Sequence, residues 1–133
     1  MTSTVELAIA GNSDVVIVRQ QVRTSAQQVG LSLVDQTKLV TAASELARNA
    51  LTYAGGGHVR IEVVSNGLRD GLRLSFTDEG PGIPDVDQAL TDGWSTGGGL
   101  GLGLSGSRRL VDEFELRSEP GEGTQVTVVK WAR

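Results

Sequence analysis

Residues 58–77 read HVRIEVVSNGLRDGLRLSFT, two strand-like segments on either side of a polar turn. In the second segment, 71–77, Leu72, Leu74 and Phe76 alternate with polar side chains, which is the period of a strand with one buried face. The connection NGLRD at 66–70 has the residue types of a hairpin turn. The sequence therefore predicts two antiparallel strands, 58–65 and 71–77, with one apolar face.

Upstream of this hairpin the sequence predicts a strand at 4–10 and then two helices. Ser13 or Asp14 can cap the first helix, and Gly30 ends it. The second helix starts near Val34–Asp35 and is stopped by 55–57. Each helix has an apolar stripe at the three- and four-residue spacing of a packed face. The stripes are Val15, Val18, Val22, Ala26 and Val29 in the first helix, and Leu39, Ala43, Leu46, Ala50 and then Tyr53 or Ala54 in the second.

Downstream of the hairpin we expect a short helix at 85–92, a helix at 104–113, and strands at 114–118 and 124–131. Helices and strands thus come in runs and do not alternate strictly. This order predicts one domain over residues 1–133, an α+β two-layer sandwich whose mostly antiparallel sheet has its helices on one face.

Composition narrows the class of protein. The chain has 133 residues, a net charge of −4, few aromatic residues and no cysteine. An acidic chain without a basic face or a stacking platform argues against nucleic-acid binding. No signal-peptide pattern and no apolar run of membrane-spanning length occur, so we expect a cytoplasmic protein without a membrane partner.

Residues 45–49, ELARN, place Glu45 and Asn49 one helical turn apart on a face distinct from the apolar stripe. A carboxylate can accept a proton, and an amide oxygen can bind Mg²⁺. The alternative interpretation is a solvated helix face.

Two glycine-containing segments follow. In DEGPG, 78–82, Asp78 ends the second hairpin strand and can accept a hydrogen bond from an exocyclic amine such as that of adenine. Gly80 and Gly82 allow positive φ. The alternative interpretation of this segment is an ordinary tight turn. The segment GGGLGLGL, 97–104, leaves backbone N–H groups open to phosphate oxygens just before a predicted helix. Here the alternative is a linker.

The order of these three segments resembles the GHKL ATPase and kinase superfamily, which includes gyrase B, Hsp90, histidine kinases and MutL. Glu45 and Asn49 resemble its N box, 78–82 its first glycine box, 97–104 its second, and Gly123–Thr124 its terminal Gly-Thr. The segments SELARNAL, YAGGG, DEGPGIPD, DGWSTGGGLGLGL and GEGTQVTVVKW are similar to the small bacterial serine/threonine kinases of partner-switching systems, the T-type switch kinases in particular.

This resemblance implies the Bergerat ATP-binding fold, with ATP and Mg²⁺ as cofactors. It implies that Glu45 is the general base, that Asn49 holds Mg²⁺, that Asp78 binds the adenine amino group and that the stretch from about Ser95 to Gly103 is a lid over the triphosphate. The cofactor-binding residues it implies are Asn49, Asp78, Gly80, Gly82, Ile83, Ser95, Thr96, Gly97, Gly98, Gly99, Leu100, Gly101, Leu102, Gly103 and Thr124.

The activity that the resemblance implies is ATP-dependent phosphorylation of a serine or threonine in a STAS-domain antagonist or scaffold protein. On release from that scaffold, a T-type kinase would bind and activate a PP2C-type phosphatase. One alternative is a W-type anti-sigma factor that sequesters a sigma factor and phosphorylates its antagonist. Another is a nucleotide-sensing switch without transfer. The roles of Arg48, between the N-box residues, and of Trp94, beside the lid, stay open.

Overall fold

A computed structural model describes residues 4–80 and 103–133 of the chain. Their elements follow the order strand, two helices, two strands, one helix and two strands. The strands are β1 (Thr4–Ile9), β2 (Gly57–Ser65), β3 (Asp70–Asp78), β4 (Glu113–Ser118) and β5 (Thr124–Trp131), and the helices are α1 (Asn12–Gln28), α2 (Leu33–Ala54) and α3 (Gly103–Arg109).

The five strands form one sheet in the order β1-β2-β3-β5-β4, and every neighbouring pair is antiparallel. The predicted hairpin is confirmed as β2–β3. Its turn is closed by Asn66, whose side-chain oxygen accepts hydrogen bonds from the backbone N–H groups of Leu68 and Arg69 at 2.9 and 2.8 Å. Gly67 takes a positive φ of 91°, which favours glycine at this position.

The core lies between the helices and one face of the sheet. The apolar stripes of α1 and α2 pack against alternate strand residues, so the two-layer α+β architecture is confirmed. The opposite face carries ion pairs, among them Arg73 with Glu62 at 3.2 Å. The fully buried side chains include Val18, Val22, Leu39, Val59, Ile61, Leu72, Leu74 and Val128.

The helix boundaries correct several expectations. Gly11 is the N-cap of α1, where Ser13 or Asp14 was expected, and the Asp14 carboxylate accepts from the backbone N–H groups of Ala10 and Gly11 at 2.8 and 3.1 Å. Ser32 caps α2 by accepting from the Asp35 N–H at 3.1 Å, so this helix starts slightly earlier than expected.

The other ends of the helices differ as well. Ala54, half-buried, continues the sheet-facing stripe of α2, whereas the Tyr53 side chain is 42% exposed. The helix expected at 104–113 ends at Arg109 because the chain turns there into β4, which begins at Glu113. The helix expected at 85–92 lies outside the described residues.

Lys130 ties the start of α2 to the sheet. Its side chain is 7% exposed, and its Nζ lies 3.6 Å from an Asp35 oxygen and 3.4 Å from an Asp112 oxygen. Burial raises the pKa of Asp112, but the hydrogen bond from the Trp131 N–H and the charges of Lys130 and Arg133 outweigh it, so that pKa lies below its ordinary value.

None of the helices in the two described ranges has both the length and the apolar character needed to cross a membrane.

Candidate nucleotide-binding site

Asp78 and Thr124 face each other at one end of the sheet. Asp78 is the last residue of β3, and its register partner Thr124 is the first residue of β5. Ser118, the last residue of β4, is paired with Thr124 on its other side. Because directly paired residues point to the same face of a sheet, these three side chains form one polar row.

Hydrogen bonds orient this row. The Ser118 hydroxyl donates to the Gly123 carbonyl oxygen at 3.0 Å and lies 2.9 Å from the Thr124 hydroxyl oxygen. Since a hydroxyl has one hydrogen, Thr124 is the donor to Ser118, and the Thr124 oxygen keeps lone pairs for a ligand donor. One Asp78 oxygen accepts from the Gly80 N–H at 3.0 Å, and its other oxygen can accept from a ligand amine.

Two glycines are required here by close backbone contacts. A Cβ at Gly123, whose φ is +82°, would lie 2.2 Å from the Asp78 carbonyl oxygen. A Cβ at Gly80 would lie 2.5 Å from the Ala54 Cβ. The sequence interpretation was that Gly80 allows a positive φ, but this residue is not among the glycines with positive φ. Its requirement is steric, because the turn after β3 packs directly on the end of α2.

A cavity of about 580 Å³ opens at this end of the sheet. Asp78 and Thr124 line it, together with Ser118 and the connection between β4 and β5. Most of the residues that line this space are polar or charged, and Leu116 is an apolar side chain among them. The Asp78 and Thr124 oxygens of the row can accept hydrogen bonds from an amine-bearing group such as a purine base.

Glu45 and Asn49 lie on α2, and both are half-buried. They directly precede Leu46 and Ala50 of the sheet-facing stripe, so the polar pair borders the packed face instead of facing open solvent. The two side chains are therefore partly covered and partly in contact with solvent. A half-buried carboxylate one turn from an amide can accept a proton from one ligand group while the amide oxygen binds a cation.

Arg48 is paired with Glu45. Its Nη1 donates to a Glu45 carboxylate oxygen at 3.2 Å across three residues of the helix. The Arg48 side chain is 54% exposed and that of Glu45 is 14% exposed, so the pair links the site to the surface.

The helix relates the two parts of the site. Ala54 contacts Gly80 beside Asp78, and Glu45 lies nine residues earlier on the same helix. At a rise of 1.5 Å per residue, Glu45 lies about 14 Å from Ala54 along the helix axis, with Asn49 between them. Along the helix axis the order is therefore Ala54 beside the Asp78 turn, then Asn49, then Glu45.

The described residues contain part of the expected binding set. Asp78, Gly80 and Thr124 are brought together, Glu45 and Asn49 lie further along α2, and Gly103 is the first residue of α3. The remaining expected residues lie outside the described ranges, and they are Gly82, Ile83, Ser95, Thr96, Gly97, Gly98, Gly99, Leu100, Gly101 and Leu102. The described ranges contain no cluster of three or more histidine, aspartate or glutamate side chains that could hold a metal ion.

Ser118 was not identified from the sequence. The signal that could have found it is the register of the last hairpin, because the 119–123 connection places the end of β4 opposite the start of β5. A serine at a strand end has no distinctive pattern of its own.

Residues 34–132 match the family described as histidine kinase-, DNA gyrase B- and HSP90-like ATPases. The chain therefore belongs to this family, and the Bergerat fold expected from the sequence is confirmed. The RsbU and RsbW domains of a Mycobacterium tuberculosis protein superpose with a TM-score of 0.68 at 21% identity, covering 100% of this chain and 33% of that one. This chain thus spans about a third of the mycobacterial chain, and the similarity concerns the fold alone.

The chain is also similar to individual members of the family. It is 49% identical over 120 residues to the serine/threonine-protein kinase RsbT of Bacillus subtilis, covering 90% of each chain. An anti-sigma F factor of Caldanaerobacter subterraneus is 28% identical over 117 residues, covering 85% of this chain and 82% of the other. The enzyme class expected from the sequence, an ATP-using protein serine/threonine kinase, is confirmed by this family membership and by the 49% identity.

Proposed function

We propose that this protein is an ATP- and Mg²⁺-dependent kinase that phosphorylates a serine or threonine of a STAS-domain protein in a bacterial partner-switching stress pathway. The observation that carries the proposal is the arrangement along α2. A carboxylate at the surface boundary, Glu45, lies on the helix whose other end packs against the Asp78 turn. In this proposal the terminal phosphate of the bound nucleotide lies near Glu45, where it meets a hydroxyl that arrives from another protein.

In this proposal Asp78 accepts a hydrogen bond from the adenine amino group, and Thr124 supports the base beside it. Glu45 orients the acceptor hydroxyl and takes its proton. Phosphoryl transfer requires mainly positioning and charge neutralisation, so a carboxylate held in place is sufficient as base. Asn49 supplies the amide oxygen of a magnesium site, and the ion would neutralise charge on the phosphate oxygens.

We propose further that Gly82, Ile83 and the stretch from Ser95 to Gly103 hold the nucleotide, the latter as a lid over its phosphates. Support comes from the glycine content of 97–103 and from its position directly before α3. Residues 1–133 would form one kinase domain, since the family match covers residues 34–132 and the preceding β1 and α1 belong to the same sheet and core.

The partners are proposed by similarity. The 49% identity to RsbT supports a T-type switch kinase, with a STAS-domain scaffold as substrate and a PP2C-type phosphatase as the second partner. The similarity to anti-sigma F factors supports the alternative, a W-type protein that sequesters a sigma factor.

The test is a transfer assay with radiolabelled ATP and Mg²⁺ on a panel of STAS-domain proteins, a sigma factor and a PP2C phosphatase, with binding measured in parallel. We expect label on a serine or threonine of a STAS-domain protein, and binding to the phosphatase but not to the sigma factor. Tight sigma binding would favour the alternative, and ATP binding without transfer to any protein would contradict the proposal.

A matched variant tests the base. Glu45→Gln keeps the size of the side chain and removes its basicity, so phosphorylation should fall by about 10²–10⁴-fold, the usual contribution of a general base. The ATP dissociation constant should stay within about 3-fold of the wild-type value, because a proton acceptor acts mainly in the transition state. Transfer at the wild-type rate would show that Glu45 has another role.

A further inference from the structure

Arg48 is an exposed cation paired directly with Glu45. The acceptor hydroxyl has to come within hydrogen-bond distance of the Glu45 carboxylate. Glu45 is largely covered, and the charged group directly bonded to it is the Arg48 guanidinium, which is 54% exposed. A chain that brings a hydroxyl to Glu45 from the side of this ion pair therefore contacts Arg48.

The ion pair between Arg48 and Glu45 is weak enough for Arg48 to leave Glu45 and bind another carboxylate. It joins one exposed and one half-buried side chain, a setting in which ion pairs contribute little to stability. The guanidinium has five N–H donors in a planar fork, and the Nη1 donor is engaged with Glu45. A second carboxylate can therefore bind the fork in the bidentate geometry that the i,i+3 pair does not reach.

The same pair restrains the base. The hydrogen bond from Arg48 engages one Glu45 oxygen and fixes the direction of the carboxylate, while the second oxygen keeps its acceptor sites. Drawing Arg48 toward another anion would free the carboxylate to turn toward the acceptor hydroxyl. Docking and activation of the base can thus be coupled through one side chain.

We propose that Arg48 selects the protein acceptor, by leaving Glu45 for an aspartate or glutamate that lies beside the phosphorylated hydroxyl of the partner. The inference rests on the proposed role of Glu45. In the step that follows, the hydroxyl proton goes to the Glu45 carboxylate and the acceptor oxygen bonds the γ-phosphorus. The bond from that phosphorus to the β–γ bridging oxygen breaks, and ADP leaves with its electron pair.

The test compares Arg48→Ala, Arg48→Glu and Arg48→Lys with Lys38→Ala. Lys38 is an exposed cation on the same helix, ten residues or about 15 Å along the axis from Arg48. The acceptor is the STAS-domain protein that the wild-type kinase labels, and kcat and KM are measured for acceptor and ATP separately. Each acidic residue around the labelled hydroxyl is also replaced by lysine in turn.

We expect Arg48→Glu to raise the KM for the acceptor by about 10-fold or more, because two like charges then meet at the interface. The KM for ATP should stay within about 2-fold, and Lys38→Ala should behave as wild type, since Lys38 lies about 15 Å from Arg48 along the helix axis. The acceptor KM of Arg48→Lys should lie between those of the wild type and Arg48→Glu, because lysine keeps the positive charge and loses the bidentate donors of the guanidinium. One acceptor variant with an acidic residue replaced by lysine should be phosphorylated poorly by the wild-type kinase and efficiently by Arg48→Glu.

An unchanged acceptor KM in Arg48→Glu, or a rise confined to the KM for ATP, would overturn the inference and leave the kinase assignment intact. Failure of every lysine-substituted acceptor to restore Arg48→Glu would overturn it as well. Absence of transfer by the wild-type protein to every STAS-domain protein would refute the proposed function, and the inference with it.

Discussion

Gly121 and Gly123 allow the backbone contact at Asp78 to be measured directly. Both lie in the connection between β4 and β5, and their φ values are +81° and +82°. A Cβ at Gly121 would meet no atom within 4 Å, whereas a Cβ at Gly123 would lie 2.2 Å from the Asp78 carbonyl oxygen and 3.1 Å from the Glu79 Cα. The two positions thus share a backbone conformation and differ in space.

Replacement of each glycine by alanine should separate the two effects. The left-handed conformation destabilises a non-glycine residue by about 1–2 kcal/mol, which is the whole effect expected for Gly121→Ala. Gly123→Ala adds an overpacked contact against backbone, worth about 1–3 kcal/mol. The total of about 2–5 kcal/mol remains below the stability of many domains, about 5–15 kcal/mol, so both variants should fold.

Urea unfolding followed by circular dichroism gives both free energies of unfolding, and titration with ATP gives the dissociation constants. We expect Gly123→Ala to be less stable than Gly121→Ala by about 1–3 kcal/mol. It should also bind ATP about 10-fold or more weakly, because its Cβ displaces Asp78, and a hydrogen bond to a charged group contributes about 1.5–3 kcal/mol. Equal stability of the two variants, within about 0.5 kcal/mol, would refute the steric argument.

Three further predictions concern charged side chains. Asp78→Asn keeps an oxygen for the turn but loses the charge, so ATP affinity measured by calorimetry should fall by about 10- to 100-fold with little change in the melting temperature; unchanged affinity would contradict the adenine contact. Lys130→Met leaves Asp35 and Asp112 without their shared cation and should lower the free energy of unfolding in urea by about 1–3 kcal/mol, less than the loss expected when a fully buried ion pair is broken. The control is Arg60→Ala on the open sheet face, which should change it by less than about 0.5 kcal/mol. Since the pKa of Asp112 is lowered on folding, its stabilising contribution is present above the ordinary carboxyl pKa of about 3.9 and is lost as pH falls through the lower folded value. Asp112→Asn should therefore reduce the loss of stability between about pH 5 and about pH 3, the range in which carboxyl groups titrate. An unaltered pH dependence would show that other carboxylates account for this loss.

The local patterns of the sequence predicted the elements well. Alternation in 71–77 and the polar turn at 66–70 were sufficient for the β2–β3 hairpin, because the period of two and the turn residues act within a few positions. The boundary errors arose where local signals compete. Ser13 and Asp14 both have capping chemistry, but Gly11 is the cap, and the expected 104–113 helix was shortened by the start of β4.

The candidate site was predicted as a set of separate segments. Spacing placed Glu45 and Asn49 on one helical face, and the resemblance assigned Asp78 and Thr124 to the nucleotide. Neither supplied Ser118, because its place depends on strand register. The Arg48–Glu45 ion pair was not predicted either, although its i,i+3 spacing on a helix allows such a pair. The lid residues from Ser95 to Leu102 lie outside the described residues, and their role stays a prediction.

By itself the sequence determined the helices with their apolar stripes, the hairpin, the acidic character and the family, because periodicity, turn chemistry and motif residues are properties of neighbours along the chain. Only the tertiary structure decided that Asp78 faces Thr124, that Gly80 rests on Ala54 and that Gly123 approaches the Asp78 carbonyl oxygen. The physical reason is that β3 pairs with β5, and the paired residues Asp78 and Thr124 are 46 positions apart in the sequence. The register of strands so far apart is set by the burial of one common core, which no local pattern specifies.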